Sequence, residues 1–137
     1  MDMTDRLRSA KLRPTRQRHA LARLLFAGGD RHVTAEQLHG EALAADVRVS
    51  LATVYNTLHH FTRAGLLREL VVESGRAYFD TNTTHHHHFF DEESGELTDI
   101  SGDDIRVSRV PRPPAGSAVS RVDVVVRLRR GDAEDIV

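Results

Sequence analysis

The sequence predicts an α+β fold, with a helical front half followed by a smaller sheet-forming back half. Three observations carry this. Apolar residues recur at helical spacing between Pro14 and Gly65, with capping residues at the starts and glycines beyond two of the ends. After Leu66 the pattern changes to short apolar or alternating runs separated by turn residues. Charge divides at the same place: residues 1–70 carry 11 Lys and Arg against 7 Asp and Glu, and residues 71–137 carry 8 against 13. A basic front and an acidic back suit a chain whose front half touches phosphate. At 137 residues there is room for one compact domain or two very small ones.

The first helix is expected from about 15 to 27. Pro14 stands at its start, Leu21, Leu24 and Leu25 form its apolar stripe, and Gly28-Gly29 close it. Thr34-Ala35-Glu36-Gln37 has the capping-box pattern and opens a second helix whose buried side is Leu38 and Leu43. Ser50 caps a third, with Leu51, Val54, Leu58 and Phe61 inward and Gly65 ending it. A strand pair follows, Leu66 to Val72 and Ala77 to Asp80, around the turn Glu73-Ser74-Gly75-Arg76. Three helices and a hairpin in sequence compose a winged helix-turn-helix, expected over residues 1–80.

The exposed face of the third helix, with Ala52, Tyr55, Asn56 and His59, has the shape of a major-groove reader. Asn56 can bond adenine in bidentate fashion and the Tyr55 ring can meet a thymine methyl, with Ser50 and Thr53 at the helix start. Lys11, Arg13, Arg16 and Arg18 are the candidate phosphate contacts, and a solvated helix face is the alternative for each.

Four consecutive histidines, His85 to His88, lie inside the chain, whereas a purification tag would be terminal and longer. In an extended segment alternate residues face opposite ways, so His85 and His87 share one side and His86 and His88 the other. Each side offers an i, i+2 imidazole pair that can grip one metal ion, and haem iron is a second candidate. The alternative is a solvated polar loop.

Residues 81–137 are expected to form a small α/β dimerisation domain. Phe89-Phe90 and Leu97-Thr98-Asp99-Ile100 flank the turn Glu92-Glu93-Ser94-Gly95 as a hairpin. Pro111, Pro113 and Pro114 leave at most a short helical turn near Asp103 to Val107. Val122, Val124, Val126 and Leu128 alternate with Arg121, Asp123, Val125, Arg127 and Arg129 as a half-buried strand, and Gly131 to Val137 are expected to fray. So small a sheet buries too little area alone, so pairing in a homodimer is expected, which would also set two reading helices on a palindromic site. The absence of cysteine excludes disulfides and thiolate-bound zinc or haem. No run approaches the roughly 20 apolar residues of a membrane span and the first residues have no apolar core, so a cytoplasmic address is expected.

Ser50-Leu51-Ala52-Thr53-Val54-Tyr55-Asn56-Thr57-Leu58 resembles the recognition helix of the ferric uptake regulator superfamily. The likeness extends to Arg13-Pro14-Thr15-Arg16-Gln17-Arg18, His32-Val33-Thr34-Ala35-Glu36-Gln37-Leu38, Gly65-Leu66-Leu67 and Tyr78-Phe79-Asp80, covering about residues 10–105. The histidine run with Phe89-Phe90-Asp91, Ser94-Gly95-Glu96-Leu97 and Ser120-Arg121-Val122-Asp123-Val124 looks like the iron response regulator (Irr) branch. That resemblance implies a dimeric, cytoplasmic, DNA-binding transcription factor, mainly a repressor, that controls iron and haem genes and responds to haem or iron.

It further implies metal ligands at His32, Asp80, His86, His88 and Asp99, for Zn, Fe or Mn, and haem at His85, His86, His87 and His88. Asp91 and Ser94 stand where a Cys-x-x-Cys pair of the family's structural zinc site would be. Arg106 occupies the place of a glutamate ligand, so His85 and His87 are expected to lack carboxylate partners. Two other function classes are a peroxide-responsive regulator of the same superfamily and a zinc hydrolase. The hydrolase has little behind it: there is no His-Glu-x-x-His motif and no paired nucleophile and base.

Overall fold

The computed structural model describes residues 2–73 and 76–131, and for Glu73 the backbone alone. It is an α+β fold of two compact units, 1–83 and 84–137. The first contains α1 (Met3–Ser9), α2 (Arg16–Phe26), β1 (His32–Val33), α3 (Ala35–Ala44), α4 (Leu51–Arg63), β2 (Arg68–Glu73) and β3 (Arg76–Asp80).

Each long helix starts where a hydroxyl can take up an orphan backbone N–H. Thr15 Oγ1 accepts from Arg18 N at 3.2 Å and Ser50 Oγ from Thr53 N at 3.0 Å. Thr34 and Gln37 form the full capping box, Gln37 N to Thr34 Oγ1 at 3.1 Å and Thr34 N to Gln37 Oε1 at 2.9 Å. At the end of α4, Gly65 has φ +82° and Leu66 N donates to Phe61 O at 2.9 Å. A left-handed residue is needed there to turn the chain, and glycine adopts it without a Cβ clash.

Leu21, Leu25, Leu38, Val54, Leu58, Phe61 and Phe79 close one apolar core between the helices and the sheet. The sheet has the order β1-β3-β2 and is antiparallel, with His32 opposite Asp80 and Leu70 opposite Tyr78. This is a winged helix-turn-helix. Three details differ from expectation. Helix α1 was not foreseen: its only buried residue is Leu7, and packing rather than periodicity makes it. Leu43 is 55% exposed and does not share the buried side of α3 with Leu38, which Ala42 does instead. The turn between β2 and β3 includes residues 74 and 75, which lie outside the described residues.

The second unit holds β4 (His86–Asp91), β5 (Leu97–Ser101) and β6 (Val125–Leu128), in the order β5-β4-β6. Strands β4 and β5 are antiparallel, whereas β6 runs parallel to β4. The hairpin turn is built by Asp91, whose Oδ1 accepts from Glu93 N at 2.9 Å and Ser94 N at 3.2 Å, while Gly95 N donates to Asp91 O at 2.8 Å. The one helical piece among its described residues is a 3-10 turn, Gly102–Asp104. Strand β6 is shorter than the alternating run suggested. Val122 and Val124 precede it, Val125 and Val126 are both half-buried, and Leu128 is 42% exposed. Residues 132–137, expected to fray, lie outside the described residues. No described helix is long and apolar enough to cross a membrane.

Candidate metal centre and nucleic-acid interface

Strand β4 sorts the histidines by side. His86 and His88 are adjacent on one side, ring centroids 4.5 Å apart, and both are nearly fully buried. Their Nε2 atoms meet the same oxygen, Asp99 Oδ1, at 3.5 Å and 3.4 Å, because the β4–β5 register sets His88 opposite Asp99. The Nδ1 of His86 lies 2.6 Å from the Thr84 carbonyl. A proton on that nitrogen leaves Nε2 as the ligating atom. Two imidazoles and a carboxylate whose donor atoms fall within 4.8 Å of one another suit a first-row divalent ion such as Zn, Fe or Mn.

The first unit offers a matching pair. The short ladder β1–β3 places His32 beside Asp80, with Nε2 to Oδ2 at 3.2 Å. Asp80 is 1% exposed, and its other oxygen, Oδ1, accepts from Asn82 N at 2.9 Å. That leaves an imidazole and a carboxylate presented together at a strand end.

On the other side of β4, His85 is exposed and His87 is buried, with ring centroids 5.1 Å apart. His87 Nδ1 accepts the backbone N–H of Val124 at 3.0 Å. Burial lowers the His87 pKa, the neighbouring His85 lowers it further, and the charge of Asp123 opposes them. The parallel pairing of β6 with β4 brings the Asp123 charge near enough to His87 to oppose that lowering. Thirty-odd residues separate them in the chain, and no local pattern announces that influence. Gly102 seats His85, since a Cβ there would fall 2.3 Å from the ring carbon Cδ2. The four imidazoles thus form two pairs, and His87 Nδ1 is bonded to the backbone.

Along α4, Ala52 and Asn56 are exposed. The Tyr55 hydroxyl donates to Glu36 Oε1 of α3 at 2.8 Å, which raises the tyrosine pKa and lowers that of the carboxyl. Tyr55 is half-buried, its ring stacked with that of His59 at 6.4 Å between centroids. The hydroxyls of Ser50 and Thr53 bond each other at 2.9 Å within the helix cap. Lys11, Arg13 and Arg16 are exposed, and Lys11 has φ 61°. Arg18 differs from them. It is half-buried and ties the entry of α2 to α4, reaching Arg13 O at 3.0 Å and His60 Nδ1 at 3.1 Å. Arg48, which the sequence did not single out, lines a cavity of about 380 Å³ together with Arg16.

The model of the ferric uptake regulator family matches residues 9–115. Over 95 residues the chain is 37% identical to the peroxide-responsive repressor PerR of Staphylococcus aureus, a match covering 69% of this chain and 63% of that protein. The chain thus matches less than two thirds of that relative's length. The ferric uptake regulator from Pseudomonas aeruginosa with manganese superposes with a TM-score of 0.72 at 25% identity, covering 96% of this chain and 100% of that one. The Vibrio cholerae ferric uptake regulator shares the fold, with a TM-score of 0.74 at 22% identity over 94% of this chain and 100% of that one. The chain belongs to the ferric uptake regulator family, whose members are transcription regulators and not enzymes.

Proposed function

We propose that the chain is a sequence-specific DNA-binding repressor of iron and haem metabolism genes whose DNA affinity depends on a bound divalent ion, and that it acts in the cytoplasm as a homodimer. The observation that carries this is the convergence of His86 and His88 on Asp99 in a buried strand. In this reading residues 1–80 bind DNA and residues 81–137 dimerise. His32, Asp80, His86, His88 and Asp99 are the candidate ligands of the ion. Asn56, Tyr55 and Ala52 read bases. Lys11, Arg13, Arg16 and Arg18 hold phosphates, and Ser50 and Thr53 present the helix start. Two-fold symmetry would match two reading helices to one palindromic operator.

The test is operator binding by metal-free protein against protein loaded with manganese, iron or zinc, after metal analysis of protein purified without added ions. A chelated protein that stays folded and dimeric and binds its operator undiminished would refute the reading.

Two signals remain to be separated. Haem, at His85 to His88, follows from the likeness to the iron response regulator branch, and exposed His85 is the imidazole best placed to receive it. A Soret band that vanishes in His85→Ala, together with reciprocal weakening of haem and operator, supports it. The peroxide-responsive alternative draws on the 37% identity to PerR. Its mark would be oxygen incorporated at His32, His86 or His88 in the iron-loaded protein after peroxide, read by peptide mass.

A further inference from the structure

We propose that Arg31 and Glu41 are positioning residues that carry the state of the His32–Asp80 pair to the recognition helix by way of α3. This rests on the metal-responsive reading above. Arg31 directly precedes His32, and Thr81 directly follows Asp80. These two neighbours lock each other: Arg31 N donates to Thr81 Oγ1 at 2.9 Å, and Thr81 N donates to Arg31 O at 3.0 Å. Any ion that fixes His32 against Asp80 therefore fixes the backbone of Arg31 as well.

The Arg31 side chain then leaves the sheet. Its guanidinium forks onto Glu41 of α3, at 2.8 Å to Oε1 and 2.5 Å to Oε2, and reaches the carbonyl of Leu24 in α2 at 3.2 Å. A planar bidentate pair fixes direction as well as distance, which a lysine ammonium does not. Helix α3 makes two polar contacts at the other end of the chain of events. Glu36 accepts from the Tyr55 hydroxyl at 2.8 Å, and His39 Nε2 lies 3.0 Å from the carbonyl of Val49, just before the Ser50 cap. One short rod thus meets Arg31, the neighbour of His32, through Glu41, and meets α4 and its entry through Glu36 and His39. Its apolar side, Leu38 and Ala42, is fully buried in the same close-packed core as Val54 and Leu58 of α4.

Spatial continuity alone does not establish coupling, so the test measures coupling directly. Arg31→Lys, Glu41→Gln and the double variant are each titrated with manganese(II) by calorimetry. Each is then assayed with and without manganese on a duplex recovered by the manganese-loaded wild-type protein from a random-sequence pool. Manganese affinity should stay within about threefold of wild type while the manganese-induced gain in DNA affinity drops by about fivefold or more, within the usual size of such couplings. The double variant should lose no more than either single one, since all three break one contact. DNA binding by the metal-free variants should equal that of the metal-free wild type, an outcome that a merely destabilised fold would not give. Folded variants that keep the full manganese gain would overturn the proposal. So would manganese affinity falling in step with the gain, which would make the pair a builder of the ligand site only. A wild-type protein with no manganese dependence would instead refute the regulatory reading itself. Arg31→Met serves as the stronger variant where a thermal melt shows it folded.

Discussion

Replacing Asp99 by Asn tests the metal centre with the least disturbance of shape. Both buried imidazoles converge on Asp99 Oδ1, at 3.4 Å and 3.5 Å. Asparagine keeps the outline and an acceptor oxygen but removes the charge, so the metal-free protein should melt within a degree or two of wild type. Binding is another matter. With the free ion at about 100 times its dissociation constant, the wild type gains about 2.7 kcal/mol. Loss of a charged donor weakens an ion by at least the roughly 10–100-fold seen when a supporting partner is lost. At the same ion concentration the variant would then gain only about 0.4–1.4 kcal/mol. For a chain of 137 residues, about 3–5 °C of melting temperature goes with each kcal/mol, so the metal-induced shift should fall from about 10 °C to about 2–6 °C. Paired thermal melts with zinc and with chelator read this directly. Equal zinc-induced shifts in the two proteins would refute the assignment of Asp99 as a ligand.

Asn56→Ala should cost about 1–3 kcal/mol on the specific site and little on random duplex, and Lys11→Ala should weaken both and reduce the salt slope by about one. An unchanged preference in a gel-shift competition would remove Asn56 from the reading face. Thr34→Ala breaks both halves of the capping box and should cost about 1 kcal/mol in urea unfolding, while an unmoved midpoint would show that α3 needs no cap. Asp91 is held below the usual carboxylate range by the backbone N–H groups of Glu93 and Ser94, with Arg130 adding to them. Since its folded pKa is depressed, its stabilisation is present above the unfolded value near 3.8 and is lost as pH falls through the folded one. Asp91→Asn should therefore flatten the acid limb of the stability profile below about pH 4, and an identical limb would refute this.

Local chemistry made much of the fold legible. Thr15, Thr34, Ser50 and Gly65 mark helix ends through bonds and dihedrals confined to a few neighbours, so the sequence displays them. Leu43 shows the limit of periodicity: it is apolar and near the right phase, yet the end of α3 has no partner over it among the described residues. Strand β1 is two residues long and exists only because β3 offers it a ladder, so nothing local to His32 announces it. The same holds for the site. The alternation of the histidines follows from strand geometry, whereas the charge of Asp123 felt at His87 and the Arg31–Glu41 ion pair depend on tertiary pairing. Arg18 belongs to a basic cluster that the sequence displays, whereas its bond to His60 on α4 is a tertiary contact that the sequence does not announce.

Strand β4 is degenerate in its own register. Sliding it by one residue would put His87 opposite Asp99 and Phe89 in the place of Phe90, so each slot would still receive an imidazole or a phenyl ring. Histidines and phenylalanines therefore cannot define which ring serves which side. The definition comes from Asp91, whose carboxylate and carbonyl hold Glu93, Ser94 and Gly95 in the turn. The strand is in effect numbered backwards from that turn. Losing one histidine from the run would shift Thr84 into position 85 and leave the inner pair intact. Inserting one residue between Phe90 and Asp91 would exchange the two sides outright.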